Sequence, residues 1–258
     1  MASRRVNDRL RTTATQAGVI VLLIIVWQSI YKLGIGSKAL NRGPLEVWQA
    51  FVRLNADYLL LANLWATMQA VIIALGLAIV VGVTIGLVLA LMPRLEEAVQ
   101  PVLSGLNSMP RVALAPLFII AFGFGVEAKV ALAFSVVVFI LILNARAGVR
   151  SADPDVMRMA EVMNISRTQK FFKLFLPVAV PSIFAGIRLG LVYSLLGVVT
   201  SELISANDGL GQLIAARSAQ FQMADVYAIL IVLAVVAAIL NTAAGWAERR
   251  LLYWQPSP

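Results

Sequence analysis

DPDVMRMAEVMNISRTQKFFKLFLP, from Asp153 to Pro177, is a polar stretch set between long apolar runs. It carries Arg158, Arg167, Lys170 and Lys173 where most of the chain is nearly free of charge. Asp153-Pro154 is a helix start, because aspartate caps free amides and proline is tolerated at the first helical position. Val156, Met159, Ala160 and Met163 then recur at helical spacing on one face. Asn164 predicts the end of that helix, since asparagine is the best substitute for glycine in the left-handed conformation that closes helices. Ser166 predicts the cap of a second short helix. There Phe171, Phe172, Leu174 and Phe175 are apolar, Arg167, Lys170 and Lys173 stay polar, and Pro177 ends the helix. Two short amphipathic helices joined by a turn either lie on anionic lipid or insert into a groove of a partner.

The apolar runs around this loop set the fold class. The chain has 258 residues and is 60% hydrophobic, against about half in a soluble protein. Charge-free windows run from Thr12 to Tyr31, Tyr58 to Pro93, Val112 to Val126, Val130 to Ala145, Leu189 to Ser201 and Val226 to Ala247. A spanning helix needs roughly 20 mainly apolar residues, and the shorter windows reach this where a flanking Arg or Lys snorkels. The expectation is an all-α integral membrane protein with six transmembrane helices near 15–33, 64–91, 99–123, 128–147, 179–203 and 226–247. The first window is too long for a removed signal peptide and lacks its small-residue cleavage site.

Charge places the loops. Thirteen Lys and Arg (Arg4, Arg5, Arg9, Arg11, Arg94, Arg146, Arg150, Arg158, Arg167, Lys170, Lys173, Arg249 and Arg250) fall on one side of a six-span arrangement. Six (Lys32, Lys38, Arg42, Arg53, Lys129 and Arg217) fall on the other. Positive loops stay cytoplasmic. Residues 1–14 are therefore expected as a cytoplasmic N-terminus, 15–250 as one transmembrane domain with the loop 153–177 cytoplasmic, and 251–258 as a cytoplasmic tail. The same rule explains the basic balance without nucleic acid. The chain has no Cys and no His, which excludes disulfides, thiol catalysis and Cys/His metal sites. No Gly-rich loop followed by Lys-Ser/Thr occurs, so any ATP used is hydrolysed by a partner. No cofactor, metal or catalytic residue is expected.

Within the spans, Ala62, Ala66, Ala70, Ala74, Ala78, Gly82, Gly86 and Ala90 recur every four residues. Ser182, Gly186, Gly190 and Ser194 repeat the pattern in the fifth helix. Small faces let helices approach closely in lipid, which serves intrachain packing, a dimer seam or a substrate lining. The third span is punctuated by Pro101, Pro110 and Pro116 and is expected to be kinked or broken. Broken helices line cavities, which makes Asn107, Ser108, Met109 and Arg111 pathway candidates. Arg111 either sits in the membrane or marks where the true span begins, with 95–109 at the interface. Arg188 either snorkels or stabilises an oxyanion or a carbonyl. Glu202 either belongs to a gate or sits at the water interface. The turn-rich segment Ser205-Ala206-Asn207-Asp208-Gly209-Leu210-Gly211 precedes a possible short helix at 210–219.

The loop resembles the cytoplasmic loop of permease subunits from binding-protein-dependent ABC importers, the MetI-like family. That pattern is Glu-Ala-Ala, Gly three residues later, then a hydrophobic position and Leu-Pro. Anchored on Leu176-Pro177, Ala160 matches, Asn164 stands at the Gly position and Arg158 stands where the family has Glu. Glu161 lies close by. The runs Pro101–Gly125, Leu143–Glu161, Leu176–Leu191, Thr200–Ile214 and Glu248–Trp254 are similar to the nitrate/sulfonate/taurine branch, and the likeness covers roughly residues 60–254.

The resemblance implies a permease paired with a second copy or a paralogue, two ABC ATPase subunits below, and an extracytoplasmic solute-binding protein, all in a bacterial inner membrane. It implies transport of an oxyanion such as a sulfonate, taurine or nitrate. Permeases for a vitamin or pyrimidine precursor or an aromatic carboxylate look the same. It implies ATPase coupling through Arg158, Met159, Ala160, Glu161, Asn164, Ser166 and Phe171, and a pathway among Asn107, Ser108, Met109, Arg111, Arg188, Ser194 and Glu202. The residues 205–211 would border the outer mouth. A rival of another class, a self-contained secondary transporter or channel, requires intramembrane carboxylates or an inverted repeat.

Overall fold

Apolar runs long enough to cross a bilayer leave the backbone no partner but itself, and the described residues answer with helices. The computed structural model describes residues 2–35, 37 and 39–251, without the side chains of 2–14, 17 and 167. The tail 252–258, Lys38 and the side chains of Arg4, Arg5, Arg9, Arg11 and Arg167 lie outside the described residues. In order, the helices are α1 Ala2–Lys32, α2 Pro44–Ala56, α3 Leu59–Leu91, α4 Pro93–Ser108, a 3-10 turn Arg111–Leu114 and α5 Ala115–Phe122. Then come α6 Val126–Arg150, α7 Pro154–Val162, α8 Arg167–Lys170, a π-helical turn Phe171–Phe175, α9 Leu176–Ile204, α10 Leu210–Ala219 and α11 Met223–Leu251.

Among the described residues, four helices are long and apolar enough to span: Leu59–Leu91, Val126–Arg150, Thr168–Ile204 and Met223–Leu251. Pro93–Ser108 and Arg111–Phe122 together form a fifth, bent by 83°. The break falls at Met109-Pro110, where the central proline of the third span was expected to act. The apolar part of α1, Gly18–Lys32, is shorter than a full span.

The chain divides into two compact units, Met1–Leu60 with Ile214–Ile231 and Leu61–Leu213 with Val232–Pro258. In the first, α2 buries Val47, Ala50 and Leu54. This helix was not expected. Its thirteen residues, charged at Glu46 and Arg53, fall short of a span and pass for a polar loop. Trp27 Nε1 donates to the Arg42 carbonyl (3.0 Å) and Tyr227 Oη to that of Leu40 (2.8 Å).

In the second unit α6 is the central helix, with Leu132, Ala133, Val137, Leu141 and Ala145 fully buried. The small-residue stripe of α3 lies on it. A Cβ at Gly82 would sit 2.8 Å from Leu141 Cβ, and one at Gly86 would sit 2.7 Å from Ala145 Cβ. The stripe of α9 packs on α6 as well: a Cβ at Gly190 would meet Val137 at 2.9 Å, and one at Gly197 would meet the Ala133 backbone at 2.8 Å. Intrachain packing is therefore what these faces serve, by the close approach that replaces the hydrophobic effect in lipid.

Pro177 does not end the second loop helix. The helix runs on from Thr168 to Ile204. A proline inside a helix lacks a donor and clashes with the carbonyl four residues back. The π-helical turn accommodates it: the Leu176 amide reaches back five residues, to the Phe171 carbonyl, and the wider turn makes room for the ring.

Candidate functional site

The loop after α6 is built as its residues dictate. Asp153 accepts a hydrogen bond from the Asp155 amide at 2.8 Å, and Pro154 opens α7. Asn164 adopts φ +50°. Its amide donates to the Glu161 carbonyl (3.0 Å) and the Ile165 amide to that of Ala160 (3.3 Å), the paired bonds of a Schellman closure. Ser166 and Gln169 form a reciprocal capping box: the Gln169 amide donates to Ser166 Oγ (3.3 Å) and the Ser166 amide to Gln169 Oε1 (3.1 Å). Lys170 Nζ meets Glu161 Oε1 at 3.2 Å, so an ion pair staples the two helices across the turn.

The apolar face of α7 divides. Ala160 is buried, whereas Met159, Val162 and Met163 are 63%, 87% and 71% exposed. With Val156 also exposed, a short helix offering four large apolar side chains to the exterior is a docking face rather than a core element. Arg158 is exposed and pairs only loosely with Asp155 (3.5 Å). Phe171 is half-buried, edge-on to the exposed Phe172.

Three residues before Asp153, α6 grips α4. Glu96 is the only buried residue of α4. It is paired with Arg146, and with Arg150 at 2.7 Å. Arg146 is itself buried, and its Nε has no hydrogen-bond partner among the described residues. At the other end of α4, Arg111 spans the break. It donates to the Leu106 carbonyl (2.5 Å) and the Ser135 carbonyl of α6 (2.8 Å), and its guanidinium lies 4.2 Å from the centre of the Phe139 ring. Helix α4 is thus clamped by arginines at both ends while Val102 and Leu106 stay exposed. Asn107 and Arg146 line a small cleft of about 50 Å3. Ser108 bonds back to the Ser104 carbonyl, and Met109 is exposed at the break.

The remaining candidates do not converge on one cavity. Ser194 is buried in the α9 stripe, bonded to the Leu191 carbonyl. Arg188 donates to Asn241 Oδ1 at 2.9 Å and pairs with Glu248 at 3.7 Å.

Glu202 corrects the expectation of a water-interface residue: it is 1% exposed. Lys129, counted above as a loop charge, is equally buried and lies 3.1 Å from Glu202 Oε1 and 2.5 Å from Asp208 Oδ1. Thr67 Oγ1 stands 3.0 Å from both Glu202 oxygens, and the Gly211 amide donates to Oε2 at 2.9 Å. The Leu210 amide donates to Thr67 Oγ1 and the Gly209 amide to Asn63 Oδ1. Side chains from α3 and α9 thereby accept from the free amides at the start of α10, while Lys129 of α6 donates to Glu202 and to the Asp208 carbonyl and carboxylate. Gly209 is required. Its φ is +107°, and a Cβ there would overlap Glu202 Oε1 at 2.0 Å. Asn63 and Thr67 carry no signal in the sequence, Lys129 reads there as a loop charge, and Asp208 reads as part of a turn. The one signal was that Lys129 and Glu202 end two spans on the same side with opposite charge.

Several apolar spans, one of them broken, and a capped amphipathic helix pair projecting between two of them define a multi-pass membrane transport subunit. Residues 78–253 match the family described as binding-protein-dependent transport system inner membrane component, and the chain belongs to that family of ABC importer permeases. It is 28% identical over 235 residues to a formylaminopyrimidine transport permease (ThiX) of Halalkalibacterium halodurans, covering 91% of this chain and 93% of that one. It is 31% identical over 236 residues to a putative aliphatic sulfonates transport permease (SsuC) of Bacillus subtilis, covering 92% and 86%. It is 32% identical over 238 residues to a riboflavin transport system permease (RibX) of Chloroflexus aurantiacus, covering 92% and 89%. Among solved structures, the fold is similar to a chain of the inward-facing MetNI methionine ABC transporter. There the TM-score is 0.66 at 16% identity, covering 76% of this chain and 97% of that chain. The family makes the chain a transport subunit, not an enzyme, that works with ATPase and solute-binding partners.

Proposed function

We propose that the chain carries a small oxyanion, of the sulfonate or taurine kind, inward across the cytoplasmic membrane, and that the loop from Asp153 to Pro177 receives the motion of the ATPase subunits. The observation that carries the coupling role is the exposed apolar face of α7 (Met159, Val162, Met163), held rigid by the Asn164 closure and the Ser166–Gln169 box. Both termini and this loop lie on the cytoplasmic side, α1 crosses as a sixth span beside the five described above, and two copies of the chain, or one and a paralogue, enclose the pathway within lipid.

In this reading Arg158, Met159, Asn164, Ser166 and Phe171 meet the ATPase, while Glu161 braces the loop through Lys170. Ala160 contributes by packing inward. Closure of the ATPases pushes α7, and α6 passes the displacement through Arg146 and Arg150 to Glu96 and hence to α4. The break at Met109-Pro110 lets α4 swing while Arg111 holds its far end. Asn107, Ser108 and Met109 move with it along the pathway. A coupling element of this kind biases a two-state equilibrium through differential contacts.

The oxyanion rests on the relative named for aliphatic sulfonates. The relatives named for formylaminopyrimidine and riboflavin favour a second reading, a flat heterocyclic solute. Purification of the tagged chain tests the coupling role, with a stoichiometric ATPase subunit expected and transport by the chain alone contradicting it. Uptake of labelled taurine and formylaminopyrimidine by the reconstituted transporter separates the two solutes.

A further inference from the structure

In the unit Met1–Leu60 with Ile214–Ile231, two large aromatic residues occupy backbone positions that glycine normally fills. Tyr58 and Phe221 both have φ +56°. Phe221 is the left-handed residue of a Schellman closure at the end of α10: its amide donates to the Ser218 carbonyl (3.0 Å) and the Gln222 amide to that of Arg217 (2.9 Å). A bulky side chain in this region is an outlier, because Cβ crowds the following carbonyl. The side chain gives nothing back by packing inward, since Phe221 is 69% exposed. A residue that strains the backbone and stays exposed is kept for what it touches outside the chain.

Phe221 stands on the rim of an open cavity of about 350 Å3, whose wall carries Arg42, Arg53 and Arg217. Among the described residues its carboxylates are Glu46 and Asp225, and both are already engaged. Glu46 accepts from Tyr31 Oη (2.7 Å) and pairs with Arg42 (3.5 Å). Asp225, buried at the base, pairs with Arg53 (2.5 Å) and Arg217 (3.6 Å). Three guanidiniums against two carboxylates leave a net cation, with Arg53 62% exposed at its side chain. A lipid-facing belt is built from Trp and Tyr, whose polar tips reach the headgroups, not from a phenylalanine beside a concave, charged wall. Aromatic side chains and arginines together are the composition of a protein-binding hot spot.

We infer that Phe221 and the arginine-lined cavity form the docking surface for an acidic segment of the solute-binding protein. Phe221 is the apolar anchor, and Arg42 and Arg53 receive partner carboxylates. The inference rests on the importer reading above and names the surface that reading requires.

The test exploits the strain. Phe221→Gly removes the anchor and relieves the backbone together, and it is measured in the complete transporter, permease with ATPase subunits in lipid nanodiscs. The stimulant is a solute-binding protein that activates the wild-type ATPase. The thermal midpoint should hold or rise by about 2–4 °C, and basal ATPase activity should not change. The binding-protein concentration for half-maximal stimulation should rise at least tenfold. Phe221→Trp should restore most of the affinity, and Arg42→Glu should weaken binding more at low salt than at high salt. Unchanged half-stimulation in Phe221→Gly overturns the docking surface, as does a lowered thermal midpoint, which would make Phe221 a packing or lipid contact. Failure of every binding protein to stimulate the wild-type transporter overturns the importer reading and this inference with it.

Discussion

Replacing Lys129 by Met tests whether the buried network holds the start of α10. Lys129 Nζ lies 3.1 Å from Glu202 and 2.5 Å from Asp208, with Lys129 and Glu202 both out of solvent. At 3.1 Å two unit charges attract by about 5 kcal/mol at an effective dielectric near 20, most of which offsets their desolvation. Removing one partner exposes that desolvation, and a broken buried pair costs about 3–5 kcal/mol. Asp208 is 62% exposed and rehydrates, so the loss falls on Glu202. For a chain of this size the thermal midpoint should fall by roughly 6–20 °C.

Glu202→Gln should cost less, because its amide oxygen still accepts from Gly211 and Thr67. The double variant Lys129→Met/Glu202→Gln should be more stable than the sum of the single losses by about 2 kcal/mol. The assay is thermal unfolding in mild detergent, followed by tryptophan fluorescence. Single variants within about 1 kcal/mol of wild type, or strictly additive losses, would refute the network's role.

Two further outcomes follow from the same geometry. Gly209→Ala should destabilise by about 1–3 kcal/mol, since its Cβ would overlap Glu202 and φ +107° disfavours any side chain; an unchanged thermal midpoint would contradict this. Glu96→Gln should cost about 2 kcal/mol by leaving Arg146 buried without an anion. It should also lower transport per ATP hydrolysed at constant ATPase binding, and an unaltered ratio removes Glu96 from the transmission path.

The local features of the loop were legible because each is written within a few residues. The Asp153 cap, the left-handed Asn164 and the Ser166 cap are signals of separation two to three. The small-residue stripes and the break at Pro110 are periodicities or single residues with one backbone consequence. The Lys129–Glu202 pair joins residues 73 apart, and no local pattern announces that two charges will meet inside the protein. Glu202 at a helix end reads as a solvated residue until α3 and α6 close over it. Pro177 misled for a different reason. The rule that proline stops a helix holds for regular α-geometry, and a π-helical turn relaxes it. Helix α2 escaped because its pattern is amphipathic and short, where spans are recognised by unbroken apolarity.

Asn164 bears most directly on coupling. In proteoliposomes containing the permease, its ATPase subunits and binding protein, solute moved per ATP hydrolysed is compared for wild type, Asn164→Gly and Asn164→Pro. Glycine accepts φ +50°, so its variant should keep the wild-type ratio. Proline cannot adopt that angle and loses the bond to the Glu161 carbonyl. That variant should assemble with the ATPase and hydrolyse ATP while the ratio falls at least tenfold. A correctly assembled Asn164→Pro transporter with the wild-type ratio would contradict the coupling role of the loop.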